Sequence, residues 1–368
     1  MTLKITLSFF VGLSISSSVI ASDFNDGIDK IFSIIDEKNA PGCSVGAIKD
    51  GAFIHKTGYG LANMELNVAL DSSQVHRMAS VSKQFTAMAV LLLAEEGKID
   101  LDADIRTYLK DLEEYEEVVT VRSMLGHYSG MGDYDLIASS KDLKAVSGAD
   151  FRLGNEDYLT INEFYDVVKT VPLALKPNQK FQYSNLAYFL LSMLVEEVSG
   201  KSLRDYAEAK IFTPLDMTNT FFSDDPVEIV KNRATGYKKN KDGSYITDMT
   251  NLFWVGDGGL HTNLDDLLKW DQNFYAPKVG KNPVKLLELM NKQNSSLKSK
   301  DKVYANGQFV GETLERKSYA HTGGWLGTST LYIRFPEEKF SLAMMCNDVS
   351  LKTSSITKDI LELYFNSK

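Results

Sequence analysis

The sequence predicts an α+β fold: an antiparallel five-stranded sheet built from both termini and flanked by helices, with a large, mostly helical lobe inserted between them. Three observations carry that expectation. Strand-like runs occur at 43–49, 52–57, 314–321, 327–335 and 340–347, close to the two ends of the chain. Helical patterns at 80–96, 161–169, 184–198, 202–211 and 263–273 fill the interval between them. The composition is that of an ordinary globular protein, with 368 residues of which 43% are hydrophobic and 24% charged, which excludes collagenous, low-complexity and disordered classes. No Pro/Ser-rich linker, charge block or internal repeat divides the chain, so interleaved lobes of one unit are expected.

The elements follow in order. MTLKITLSFFVGLSISSSVIASDF opens with Lys4, an apolar stretch from Ile5 to Ile20 and a small-residue site Val19-Ile20-Ala21, the pattern of a secretory signal cut after Ala21. That gives a secreted or periplasmic protein with no stable membrane anchor after cleavage. Phe24, Ile28, Ile31, Phe32 and Ile35 have the spacing of an amphipathic helix that stops before Pro41-Gly42. Asp50-Gly51 suits the positive φ angles of a tight hairpin between the first two strands. Pro336 opens the last strand turn, and Ile356, Ile360, Leu363 and Tyr364 mark a closing helix. The polar stretches 138–158, 236–250 and 291–303 read as surface loops. Cys43 and Cys346 are compatible with one bridge or with two buried thiols. A formal net charge of -9 with no basic cluster argues against nucleic-acid binding; a small-molecule or peptide substrate is the expected partner.

Chemistry narrows to a few positions. The histidines at 55, 76, 127, 261 and 321 show no metal-ligand spacing, so no metal is expected. Gly42-Cys43-Ser44-Val45-Gly46 matches G-x-S-x-G, but a helix precedes it and a strand follows. That is the reverse of a nucleophile elbow, so Ser44 reads as an ordinary strand residue. Ser and Lys at i and i+3 share a helix face, where the amine can reach the hydroxyl. This spacing occurs at Ser80/Lys83, Ser295/Lys298, Ser299/Lys302 and Ser355/Lys358. Only Ser80 opens a helix that is apolar all round from Ala87 to Ala94 and must lie at the centre of the protein. A hydroxyl on that first turn sees backbone N–H donors and the positive end of the helix dipole, which suit an acylated serine. Two further elements follow it: Tyr183-Ser184-Asn185 ahead of an apolar helix, and His321-Thr322-Gly323 between two strands. Tyr304-Ala305-Asn306, Tyr364-Phe365-Asn366 and Lys56-Thr57-Gly58 carry similar letters in the wrong positions.

This ordered set resembles the serine β-lactamase and penicillin-binding-protein superfamily, in its class C-like branch of β-lactamases, D-Ala-D-Ala carboxypeptidases, D-aminopeptidases and esterases. The resemblance spans residues 25–365 and includes GKIDLDADIRTYL, VTVRSMLGHYSGM, LKPNQKFQYSN and GDGGLHTNLDDLLKW. It implies a β-lactamase/transpeptidase-like catalytic domain over 22–368, after a signal peptide at 1–21, and no cofactor. Ser80 would be the acylated nucleophile, Lys83 its activating neighbour and Tyr183 a general base and proton shuttle. Asn185 would orient the substrate amide and the lysine, and His321-Thr322-Gly323 would line the opposite wall. The N–H groups of Ser80 and Gly324 would form the oxyanion hole. The implied activity is acyl-enzyme hydrolysis of D-amino-acid or cell-wall-type peptides or of small esters; the alternatives are a class C-like β-lactamase and a non-catalytic penicillin-binding relative. Two departures stand out. His321 replaces the family's common lysine, and Tyr108-Leu109-Lys110 lacks the proline that often follows the Tyr-Leu pair. His127 and Tyr128 read as structural near the site, His261-Thr262-Asn263 as a helix start, and Trp254 and Trp325 as packing aromatics, with lining of the cleft as the alternative.

Overall fold

The computed structural model describes residues 15–35, 38–134, 159–250, 253 and 255–366, with side chains from residue 23 onward. The expected loop at 138–158, Trp254 and the first 14 residues of the expected leader lie outside that set. Helix α1 (Ile15–Phe32) runs through the expected cleavage point. No helix among the described residues is long and apolar enough to cross a membrane.

The main sheet has eight strands rather than five. They are β1 (Cys43–Lys49), β2 (Ala52–Tyr59), β3 (Gln293–Ser299), β4 (Lys302–Ala305), β5 (Gln308–Thr313), β6 (Arg316–Trp325), β7 (Thr328–Phe335) and β8 (Phe340–Cys346). Their order across the sheet is β3-β4-β5-β6-β7-β8-β1-β2, with every neighbour antiparallel. The N-terminal hairpin therefore docks onto the C-terminal strands, as the strand positions predict. The three extra strands lie in the stretch 291–313. β3 is half-exposed along its length, so its polar residues never had to alternate with apolar ones. A polar edge strand carrying Lys298 also resists unwanted pairing. The expected loop at 236–250 contains a second hairpin, Tyr237–Lys239 with Tyr245–Thr247.

Each face of the sheet is covered. On β8, Leu342, Met344 and Cys346 pack toward α1 and the closing helix, while Ala343 and Met345 face the larger core on the other side. This is the two-residue period of a strand buried on both faces. Cys43 and Cys346 sit directly opposite each other in β1 and β8 and are joined as a disulfide.

The larger core is built around α2 (Lys83–Glu95), buried from Lys83 to Leu93. Its partner is α3 (Asn185–Ser199), which Gly200 ends in the left-handed conformation at φ 70°. The first residues of the two helices, Lys83 and Asn185, are hydrogen-bonded to each other, so the two first turns meet.

Candidate active site

Ser80 lies in a 3₁₀ turn, Ala79–Ser82, immediately before α2 rather than inside its first turn. Ala79 ahead of it has φ 44°, a conformation that costs a non-glycine residue energy and clusters at functional sites. From this turn Lys83 points inward. It is fully buried, and its ammonium donates to Ser80 Oγ at 3.3 Å, Asn185 Oδ1 at 2.7 Å and the Asp257 carbonyl at 2.7 Å. Three acceptors match the three protons of an ammonium. Burial nevertheless lowers its pKa to about 8, against the opposing pull of Asp257 and Asp133.

Tyr183-Ser184-Asn185 owes its geometry to helix capping. Ser184 is the N-cap of α3, its hydroxyl accepting the Ala187 N–H at 3.0 Å and donating to the Gly132 carbonyl at 2.6 Å. The cap fixes Tyr183 just outside the helix and Asn185 at its first position. Asn185 Nδ2 donates to both Asp133 oxygens at 3.1 Å, which turns its Oδ1 toward Lys83. The Tyr183 phenol faces the Ser80 hydroxyl, and the Lys83 ammonium lies 4.9 Å from the Tyr183 ring centre. Burial raises the phenol's pKa well above its ordinary value, with Asp257, Tyr188 and Asp133 adding to the rise against the opposing effect of the Ser80 hydroxyl. Tyr183 is therefore a neutral phenol at pH 7.

The opposite wall is β6, which extends through the whole of His321-Thr322-Gly323-Gly324 instead of ending at it. Gly323 is required there by space: a Cβ would sit 2.2 Å from Thr330 Oγ1 and 2.4 Å from the Met78 carbonyl oxygen. Its absence lets β6 close onto the chain leading to Ser80. A Cβ on Gly324 would meet nothing within 4 Å, and Gly324 lines a narrow cleft with Ser80, Asn185, Tyr134, Asp257 and Trp325. Thr322 is exposed at this wall.

His321 is buried and neutral. Its Nδ1 donates to the Thr322 carbonyl at 2.6 Å, and its Nε2 accepts from the Tyr304 hydroxyl at 3.0 Å. Burial, with a contribution from nearby Lys83, holds its pKa down at about 3. All eight site positions expected from the sequence thus converge. Ser80, Lys83 and Asn185 form one hydrogen-bonded cluster with the Tyr183 ring beside it; His321 stands 6.1 Å from Tyr183, ring centre to ring centre.

Several participants escaped the sequence reading. Asp133 orients Asn185. Tyr134 donates to Asp257 Oδ2 at 2.6 Å, while the Asp257 carbonyl holds Lys83. Tyr304, set aside as part of a false Tyr-x-Asn match, supports His321 from behind. The other false matches stay away from the site. Ser44 is buried in β1, with its hydroxyl on the Asp71 carbonyl and His76. Lys56 pairs with Asp265 at 2.6 Å. Ser295, Lys298, Ser299 and Lys302 belong to the β3–β4 hairpin, not to a loop. Asn263 caps the helix Leu264–Asn273, whereas His261 and Thr262 form a strand. Trp325 donates to Thr250 at 3.0 Å. Among the described residues no group of three or more His, Cys, Asp or Glu side chains is arranged to hold a metal.

A family model described as Beta-lactamase matches residues 28–364. The chain is 28% identical to the mitochondrial serine beta-lactamase-like protein LACTB of Mus musculus, over 86% of this chain and 73% of that one. It is 25% identical to a D-aminopeptidase of Gluconobacter oxydans, over 84% of this chain and 56% of that one. The octameric penicillin-binding protein homologue from Pyrococcus abyssi superposes with a TM-score of 0.77 at 25% identity, covering 96% of this chain and 78% of that one.

Proposed function

The chain belongs to the beta-lactamase family and is a serine hydrolase; from that premise we propose that Ser80 forms an acyl-enzyme with the carbonyl of D-amino-acid peptides, their amides or small esters. The observation that carries this reading is the Lys83–Ser80–Tyr183 contact, in which burial pushes the two titrating groups in opposite directions. With a value of about 8, roughly a tenth of Lys83 is the free amine at pH 7. That amine takes the Ser80 proton as Oγ attacks the carbonyl carbon, and the Ser80 and Gly324 N–H groups receive the oxyanion. Tyr183 gives its proton to the departing amine or alkoxide and is reprotonated from Lys83. Water then attacks the acyl-serine by the same steps reversed. The base is thus Lys83, and Tyr183 is the relay.

Substrate class follows from His321. A neutral imidazole offers no cation to a carboxylate, which favours esters, amides and N-terminal residues over penicillins. The likeness to a D-aminopeptidase supports D-configured substrates. Secretion is part of the proposal: the N-terminal leader pattern and the Cys43–Cys346 bridge both suit an oxidising compartment. The test is turnover across neutral esters, D-amino-acid amides, D-peptides and benzylpenicillin. Esters or D-amides ahead of penicillin support the reading; penicillin ahead of both overturns the substrate class, and covalent labelling without turnover of any of them indicates a binding protein.

A further inference from the structure

Nothing in the acyl-transfer scheme uses His127, yet it touches the segment bearing Tyr183 at three points. Its carbonyl accepts the Gln182 N–H at 2.7 Å, its ring Nδ1 accepts the Ser184 N–H at 3.1 Å, and its ring lies 4.3 Å from the Tyr183 ring, centre to centre. The two amides flanking Tyr183 are therefore held by one residue.

We propose that His127 is a positioning residue that fixes Tyr183 against Ser80 by clamping the backbone on either side of it. The inference rests on the proton-relay role given to Tyr183 above and adds the residue that sets its geometry. Three features separate this role from core filling. First, an Nδ1 that accepts a backbone N–H requires the ring proton on Nε2, and Nε2 is buried without a hydrogen-bond partner among the described residues. A hydrocarbon side chain would avoid that orphaned donor, so the ring is held for its other nitrogen. Second, the surroundings keep the ring uncharged. Burial is the main cause, the Lys83 ammonium adds to it, and the rings of His321, Tyr188 and Tyr304 surround it, the last two at 5.1 Å and 4.4 Å. A protonated ring would lose the Ser184 bond. Third, His127 has φ 59°, a conformation that histidine, asparagine and aspartate enter more readily than most other residues. The fold thus meets a local backbone cost in order to set an acceptor at this place.

The geometry selects its own test. Asparagine tolerates the same φ and puts Oδ1 close to the position of Nδ1, whereas glutamine carries its amide one carbon further out, and leucine supplies bulk alone. In the full-length protein, amide hydrogen exchange at Ser184 reads the clamp without reference to any substrate. His127→Asn should keep its protection, and His127→Leu and His127→Gln should exchange at least about tenfold faster. In parallel, kcat for the best neutral ester should fall about 30-fold or more in His127→Leu and His127→Gln with KM little changed, and recover most of its value in His127→Asn. Loss of Ser184 protection in His127→Asn, or equal exchange in all variants that fold, would overturn the clamp. A slowed relay with His127→Asn no better than His127→Leu would do the same. Should the wild-type enzyme turn over no ester or amide, the exchange experiment still decides the clamp, and only the relay reading fails.

Discussion

Replacing His321 with lysine should redirect the enzyme toward carboxylate-bearing substrates. The imidazole is buried between the Thr322 carbonyl and the Tyr304 hydroxyl with a pKa of about 3. At pH 7 only about one molecule in ten thousand carries a charge there, and charging it costs about 5 kcal/mol. A lysine ammonium about 4 Å from a bound carboxylate gains up to about 4 kcal/mol at an effective dielectric near 20, before desolvation and repulsion from Lys83 are subtracted. If a third to a half survives, the ratio of kcat/KM for benzylpenicillin to that for a neutral nitrophenyl ester rises about 10- to 30-fold. The substitution also takes the acceptor from the Tyr304 hydroxyl, whose residue is 2% exposed; stability should fall by about 1–3 kcal/mol. His321→Gln, polar but uncharged, serves as the control and should leave the ratio near that of the wild type. A wild-type enzyme that already prefers penicillin, or a lysine variant with an unchanged ratio, would refute the reasoning.

Other consequences follow from the same groups. The rate at low substrate should rise with pH through about 8 as Lys83 loses its proton, and a pH–rate profile of kcat/KM shows whether it does. Tyr183→Phe, which keeps the ring and removes the relay proton, should reduce turnover about 100-fold or more while the fold, followed by circular dichroism, is retained. Burial lowers His76 to about 4 and His261 and His321 to about 3. Their unfolded forms take up protons first, so stability is greatest above pH 6.5 and is lost as pH falls toward 3, by up to about 4 kcal/mol per pH unit for the three together. Buried Asp257 and Asp271, with raised values, act in the opposite sense; calorimetry from pH 7 to 4 should still show a falling Tm. Reduction of Cys43–Cys346, or Cys346→Ser, should cost about 2–5 kcal/mol in denaturant unfolding.

Much of this site is legible because its parts are local. Ser80 and Lys83 share one turn, Ser184 caps the helix that follows Tyr183, and a helix apolar all round from Ala87 to Ala94 can only be central. The sheet's terminal strands are legible for the same reason, since Val45, Leu342 and Met344 alternate toward one core. The polar strand β3 left no such trace, because half of its surface faces water. Asp133, Tyr134 and Asp257 are single residues whose roles depend on contacts made across more than 50 positions of chain, and no periodicity marks them. The pairing of Cys43 with Cys346 depends on strand register, which neither cysteine encodes. His321 was visible as a departure from lysine, but its neutrality depends on Tyr304 and on burial, both products of the finished fold. The expected strand at 314–321 stopped short because β6 runs on to Trp325, where Gly323 allows a close approach to the Met78 carbonyl that no local pattern announces.

The central claim is that Ser80 is the nucleophile, and its most direct measurement is the intact mass of the protein after exposure to an activated fluorophosphonate, followed by peptide mapping. The wild-type chain and Ser44→Ala should each gain one adduct, mapped to Ser80, and Ser80→Ala should gain none while keeping its fold. An adduct on Ser80→Ala, or a wild-type adduct mapped to any other residue, would contradict the account.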